Sequence, residues 1–143
     1  MMIIPNAALL HFNDDGFVLA VERKDNKQDR GLPGGKADPD DIIAAGGDPL
    51  LALKIACSRE SLEECGLVIF PHDLQEVFRG PCATPKRGGT WPNVVFMPRR
   101  VVTTVPQKKG EPPFYWVPPC ELISRSPFRE FNRALFDALG VVY

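Results

Sequence analysis

Arg59-Glu60-Ser61-Leu62-Glu63-Glu64-Cys65-Gly66-Leu67, downstream of Leu32-Pro33-Gly34-Gly35-Lys36, is the stretch on which the reading of this chain turns. Wound as a helix, it sets Glu60, Glu63 and Glu64 at i, i+3 and i+4 and crowds three carboxylates on one face. Like charges at that spacing repel, and Arg59 alone cannot neutralise three acids. A hard divalent cation can, because magnesium prefers oxygen ligands and keeps waters that a phosphate can displace. Acidic helix faces are usually just solvated. Here a Gly-Gly turn precedes the acids and a helix-stopping glycine follows them, which weighs against that plain reading.

Arg-Glu-x-x-Glu-Glu-x-Gly-Leu after Pro-Gly-Gly-Lys resembles the Nudix box, G-x5-E-x7-R-E-U-x-E-E-x-G-U with U aliphatic. The second half matches except at Ser61, where an aliphatic residue is usual. The first half departs. Fourteen positions separate glycine from arginine in the family pattern, against 24 from Gly35 to Arg59, an insertion of about ten residues that covers Ala37 to Gly47. Counted back from Arg59, the family's first glutamate falls on Leu51, and Asp38, Asp40, Asp41 or Asp48 could replace it.

The resemblance covers Ala7 to Leu139 and implies an α/β fold, a Nudix-like α/β/α sandwich with a central mixed β-sheet. It implies a magnesium-dependent pyrophosphohydrolase, manganese being the alternative ion. The expected substrate is a nucleoside triphosphate, or a nucleoside diphosphate linked to another moiety. By resemblance, Glu60 and Glu64 are the first metal ligands and Glu63 follows. A carbonyl of the glycine turn, at Gly35 or its neighbour, joins them. Arg59 orients a box glutamate by a salt bridge. The general base is a box glutamate or an acid from a late loop, where Glu111 stands; a solvated loop acid is the competing reading of Glu111.

Composition sets the outer limits. With 143 residues, 44% hydrophobic and 24% charged, the chain fits one globular domain over 1–143. A formal net charge of −1 gives no global field favouring nucleic acid or a membrane surface. No apolar run reaches bilayer-spanning length, and the start lacks a signal-peptide layout. The four cysteines show no Cys-x-x-Cys spacing, which suits thiols in a reducing cytosol. A homodimer is left open.

Local signals fill in the elements. Ala7–Phe12 and Phe17–Val21 around Asp15-Gly16 predict a hairpin. Leu32-Pro33-Gly34-Gly35 predicts a turn. Asp38-Pro39 starts a short helix ended by Gly46-Gly47, and Asp48-Pro49 opens a longer one to Gly66. On that helix Leu51, Ile55, Ser58, Leu62 and Cys65 form the predicted core stripe, with Glu60 and Glu64 about 100 to 200° away. Short strands follow at 68–70 and 75–79, a central strand at 91–97, a segment at 101–105 pairing nearby, and a last strand at 114–117. Phe128, Phe131, Leu135 and Leu139 mark an amphipathic helix over 127–139.

Substrate contacts are the thinnest part of the reading. Lys36, Lys86 and Arg87 are candidate phosphate partners, with Arg99 and Arg100 behind them; surface cations more often serve solubility. Pro81 to Thr90 resembles, loosely, the loop after the box in ADP-ribose-cleaving relatives. Trp91 or Phe17 could stack a base, with core packing as the competing role. Two further readings remain: a Nudix-fold module that senses a nucleotide without turnover, and a structural domain with an incidental acidic helix. Retention of all three box glutamates favours catalysis.

Overall fold

The computed structural model describes residues 5–83 and 91–143. Strands β1 (Asn6–Leu9), β2 (Val18–Glu22), β3 (Arg30–Gly31) and β4 (Gly34–Lys36) precede helices α1 (Pro39–Ala44) and α2 (Pro49–Cys65). After them come β5 (Leu67–Val68), a 3-10 turn at Pro71–Asp73, β6 (Leu74–Cys82), β7 (Trp91–Pro98), β8 (Thr103–Thr104) and β9 (Phe114–Val117). Helices α3 (Glu121–Ser124) and α4 (Arg129–Leu139) close the chain.

The central sheet runs β4-β1-β7-β6, with β1 and β7 parallel and the other pairs antiparallel, so it is mixed. A second sheet, β3-β2-β9, is antiparallel, and β5 pairs with β8. Because side chains alternate across a strand, β1 and β7 feed two cores. Ala7, Leu9, Val94 and Phe96 face α2, where Leu53, Ala56 and Cys57 meet them. Ala8, Leu10 and Val95 face α4, against Phe131, Leu135 and Phe136. The α/β/α sandwich expected from the sequence is therefore present.

Three local expectations are corrected. β1 and β2 do not pair as a hairpin; they join at a bridge between Phe12 and Val18 and then enter different sheets. Leu32–Gly35 is not a free turn, since Gly34–Lys36 is strand β4 against β1. Glycine is required there because a Cβ on Gly34 would collide with the Ala7 carbonyl oxygen. On α2, Leu51 and Leu62 are exposed, and the buried face is Ala52, Leu53, Ala56, Cys57, Ser61 and Cys65. The predicted stripe was rotated because it favoured large aliphatics, whereas small residues let this helix lie close to the sheet. Ser61 fits among them because its hydroxyl donates to the Cys57 carbonyl at 2.7 Å, leaving no unsatisfied polar atom.

The other elements fall close to their sequence signals. Asp38 and Asp48 cap α1 and α2, each with proline in the first turn. β7 is central, β9 spans the predicted residues, and β6 extends beyond 75–79.

Candidate active site

α2 carries the site because two rows on one helix meet different neighbours. Residues four apart stack along a helix, so Ala56, Glu60 and Glu64 form one row, beside the buried row Leu53, Cys57 and Ser61. Ala56 is sealed against the sheet, and the two glutamates continue that line to the end of β4. Glu64 Oε1 accepts a hydrogen bond from Gly34 N–H at 2.9 Å. A Cβ on Gly35 would sit 2.8 Å from Glu60 Oε1. The diglycine thus brings bare backbone against both acids, 25 positions away for Gly35 and Glu60 and 30 for Gly34 and Glu64.

Glu60 and Glu64 open into a cavity of about 270 Å³, walled also by Glu111, Arg23, Lys24 and Gly34. Glu111 arrives on the loop before β9. That loop is moored to the end of α2: Gln107 Nε2 donates to the Glu64 carbonyl at 2.8 Å, and Lys108 N–H to the Glu63 carbonyl at 2.9 Å. Lys24 Nζ lies 3.6 Å from Glu111 Oε2. No sequence signal announces Gln107 or Lys24, since neither belongs to a motif.

Electrostatics divide the acids into two groups. Burial pushes the Glu64 carboxyl up to about 8; the Gly34 N–H opposes this, and the charges of Glu60 and Glu111 add to it. Glu60 is also raised, by burial first, with Arg59 opposing. Asp41 moves the other way. Burial alone would raise it, but hydrogen bonds from Arg59 and from the backbone at Asp38 hold it below the usual carboxylate range.

Arg59 is the counterweight. Its Nε and Nη2 reach Asp41 Oδ1 and Oδ2 at 3.3 and 3.0 Å, a two-pronged pair, and Nη1 reaches Glu60 Oε1 at 3.0 Å. Asp38 and Glu63 lie 3.5 and 3.7 Å from it. Asp41 itself is locked by a capping box with Asp38. Asp41 is thus the insertion acid that meets Arg59, whereas Leu51 is exposed on the first turn of α2. Counting forward six positions from Gly35, instead of back from Arg59, reaches Asp41; the extra residues lie between it and the arginine.

Glu60, Glu64 and Glu111 come together around one cavity. Glu63 sits at Arg59, outside the cavity lining. Lys36 has an exposed side chain, lines neither this cavity nor its neighbour, and offers Arg59 only its carbonyl, at 3.4 Å. Lys86 and Arg87 lie outside the described residues. Arg100 is 3.8 Å from Asp73, and Arg99 donates its backbone N–H to the Asp73 carbonyl. Trp91 is buried and Phe17 exposed.

The donor set suits a hard cation: carboxylate oxygens with raised affinity for a positive charge, beside a glycine backbone that no side chain shields. Among the described residues, no three acidic, histidine or cysteine groups already surround one point closely enough to hold an ion. The fit is therefore one of chemistry and proximity.

A neighbouring cavity of about 130 Å³ lies on the α4 side, between the ends of β1, β4 and β7 and the residues Phe128, Phe131 and Asn132. Arg23 and Gly34 border both cavities. The Arg23 guanidinium rests 4.9 Å from the centre of the Phe128 ring.

Comparison with known proteins places the chain. No curated protein matches it. Its fold is similar to a MutT NUDIX hydrolase from Burkholderia pseudomallei (TM-score 0.68, 18% identity, covering 97% of this chain and 99% of that one). It is also similar to a MutT protein from Methanosarcina mazei (TM-score 0.63, 23% identity, 94% and 93%). A third likeness is to the E. coli dihydroneopterin triphosphate pyrophosphohydrolase (TM-score 0.62, 13% identity, 93% and 92%). The NUDIX domain family model matches residues 2–139. With that match over nearly its whole length, and with Glu60 and Glu64 side by side at the cleft, this chain belongs to the NUDIX family of pyrophosphohydrolases.

Proposed function

We propose that the chain is a magnesium-dependent hydrolase cleaving the pyrophosphate of a nucleoside triphosphate, or of a nucleoside diphosphate linked to another group. The observation that carries this is the convergence of Glu60, Glu64 and Glu111 on one cavity, with Glu64 buried among acids and, among the described residues, paired to no cation. Glu60 and Glu64 would hold the metal with the Gly35 carbonyl; Glu63 is the reserve ligand. When bound, a divalent ion offsets phosphate charge and makes a bound water more acidic. Arg59, held by Asp41, fixes the Glu60 carboxylate and does not touch substrate.

Glu111 is the proposed general base. It lies across the cavity from α2, where it can take the proton of a water attacking in line. Lys24 lies 3.6 Å from its carboxylate. Arg23, between the two cavities, is placed to bind a phosphate oxygen. The relative named for dihydroneopterin triphosphate supports a triphosphate on a flat heterocycle as the substrate class.

Buried thiols at Cys57 and Cys65, both pushed up to about 12 by burial, suit a reducing compartment and a cytoplasmic enzyme. No helix of the described residues is long and apolar enough to cross a membrane. The test is a panel of nucleoside triphosphates and nucleoside diphosphate conjugates incubated with magnesium, products read by mass. Release of pyrophosphate or of a nucleoside monophosphate is expected. Binding without turnover of any member would favour the nucleotide-sensing alternative.

A further inference from the structure

On the α4 side of the central sheet, the inward row of β1 reads Asn6, Ala8, Leu10, and that of β7 reads Trp91, Asn93, Val95. Four of these six are apolar core residues, as alternation demands. The two exceptions are register partners: Asn6 lies beside Asn93 on the parallel strands. Both line the smaller cavity. Among the described residues, Asn6 Oδ1 and Asn93 Oδ1 are buried and accept no hydrogen bond. Folded proteins seldom leave such atoms unmatched, because each loses its water without compensation. Two of them side by side, in a row that packing alone would fill with valine or leucine, mark a place where a ligand supplies the donors.

We infer that Asn6 and Asn93 are specificity-determining residues that read the edge of the substrate's heterocycle, selecting a base with two adjacent N–H donors. The inference rests on the pyrophosphohydrolase reading for its link to turnover. Geometry makes that link, because Arg23 and Gly34 border both cavities. A diphosphate held at Glu60 and Glu64 leads past Arg23 to the asparagine pair. Phe128 and Phe131 line the same cavity. Among common bases, guanine presents a ring N–H and an amino group next to one another. Adenine and cytosine present one amino group. Uracil sets its single N–H between two carbonyls, which would oppose the asparagine oxygens. The expected order is guanine first, adenine and cytosine next, uracil last.

The test uses the full chain with Asn6→Leu and Asn93→Leu, replacements that suit the apolar row. With magnesium, kcat/KM is measured for the guanine and uracil nucleoside triphosphates. In parallel, side-chain amide resonances of the metal-free protein are followed by NMR during titration with guanosine, uridine and ribose. The wild type should prefer the guanine substrate at least tenfold. Each variant should lose most of that preference while its thermal midpoint stays level or rises. Guanosine should shift the Asn6 and Asn93 amide signals, and ribose should not.

Equal preference in wild type and both variants, or no base preference at all, would overturn the inference and leave the hydrolase reading standing. If no triphosphate is cleaved, the titration alone decides: amide shifts specific to guanosine uphold the pair as a base reader, and their absence refutes it; the hydrolase reading fails as well only if no nucleoside diphosphate conjugate is cleaved. A lowered midpoint with unchanged preference would show the asparagines to be structural.

Discussion

Two acidic groups that meet α2 one turn apart, at Arg59 and at Glu64, behave in opposite ways. Around Arg59 the charges are matched: Asp41 holds the guanidinium from two sides, its carboxyl is stabilised as the anion, and Asp38 ties Asp41 to the start of α1. Around Glu64 they are less well matched: Glu60, Glu64 and Glu111 share a cavity that Glu22 and Asp25 also line, and burial with the charges of Glu60 and Glu111 raises the proton affinity of Glu64. The first group is finished and serves to position. The second keeps buried acids beside one another, an arrangement from which ligand sites are built. Residue type does not distinguish them; the neighbours do.

Removing an acid from the less well matched group should have the largest effect on activity. Glu64→Gln is expected to lower kcat by about three orders of magnitude or more, since it deletes a charged candidate ligand while keeping the acceptor for Gly34. Circular dichroism and the elution volume should not change. Activity near wild type in this variant would dissolve the contrast altogether.

Asp41→Asn strikes the matched group. It leaves Arg59 with half its partner, so a stability loss of about 3–5 kcal/mol is expected from denaturant titration. kcat should fall about 10- to 100-fold with KM little changed, as for a residue that orients a ligand without touching substrate. A change in KM alone would mean that Arg59 contacts substrate after all.

The two groups also predict opposite responses to pH in the metal-free protein. Glu64 binds its proton more tightly folded than unfolded, because its folded value is raised to about 8 from an ordinary 4.5. Its contribution is therefore fully present below about pH 4.5 and is lost as pH rises through 8. Asp41, lowered on folding, contributes above the ordinary carboxylate range and is lost as pH falls through its lowered value. Thermal midpoints without metal should thus decline between pH 5 and 9 by the equivalent of roughly 2–4 kcal/mol at 1.4 kcal/mol per unit. Glu64→Gln should flatten that decline, and Asp41→Asn should not.

The smallest effect is a control on the helix itself. Leu62 is 41% exposed, so Leu62→Gln should change stability by no more than about 0.5 kcal/mol. A larger loss would restore the aliphatic stripe that the sequence suggested.

How much could be read beforehand depended on where the cause lay. Capping is local chemistry, so Asp38-Pro39 and Asp48-Pro49 fixed both helix starts. β7 and β9 were legible from their apolar runs. The face of α2 was not, because periodicity weights leucine over alanine and serine, and only tertiary packing shows that Ala56 and Ser61 are the buried ones. The closeness of the diglycine to Glu60 and Glu64 followed from the resemblance. Asp41 as the partner of Arg59 did not, since four acids in the insertion competed and distance alone separates them. Gln107 and Lys24 act through loops whose course no pattern encodes, and the asparagine pair emerges only when β1 and β7 are set in register.

The central claim is that Glu60 and Glu64 hold a divalent cation that displaces the proton bound at Glu64. Calorimetric titration of the protein with magnesium at pH 7, in two buffers of different ionisation enthalpy, measures binding and proton release together. Saturable binding that releases protons, and that is lost with its proton release in Glu64→Gln, is the predicted result. Magnesium binding of equal strength in Glu64→Gln, or binding to the wild type with no proton released, would contradict the account.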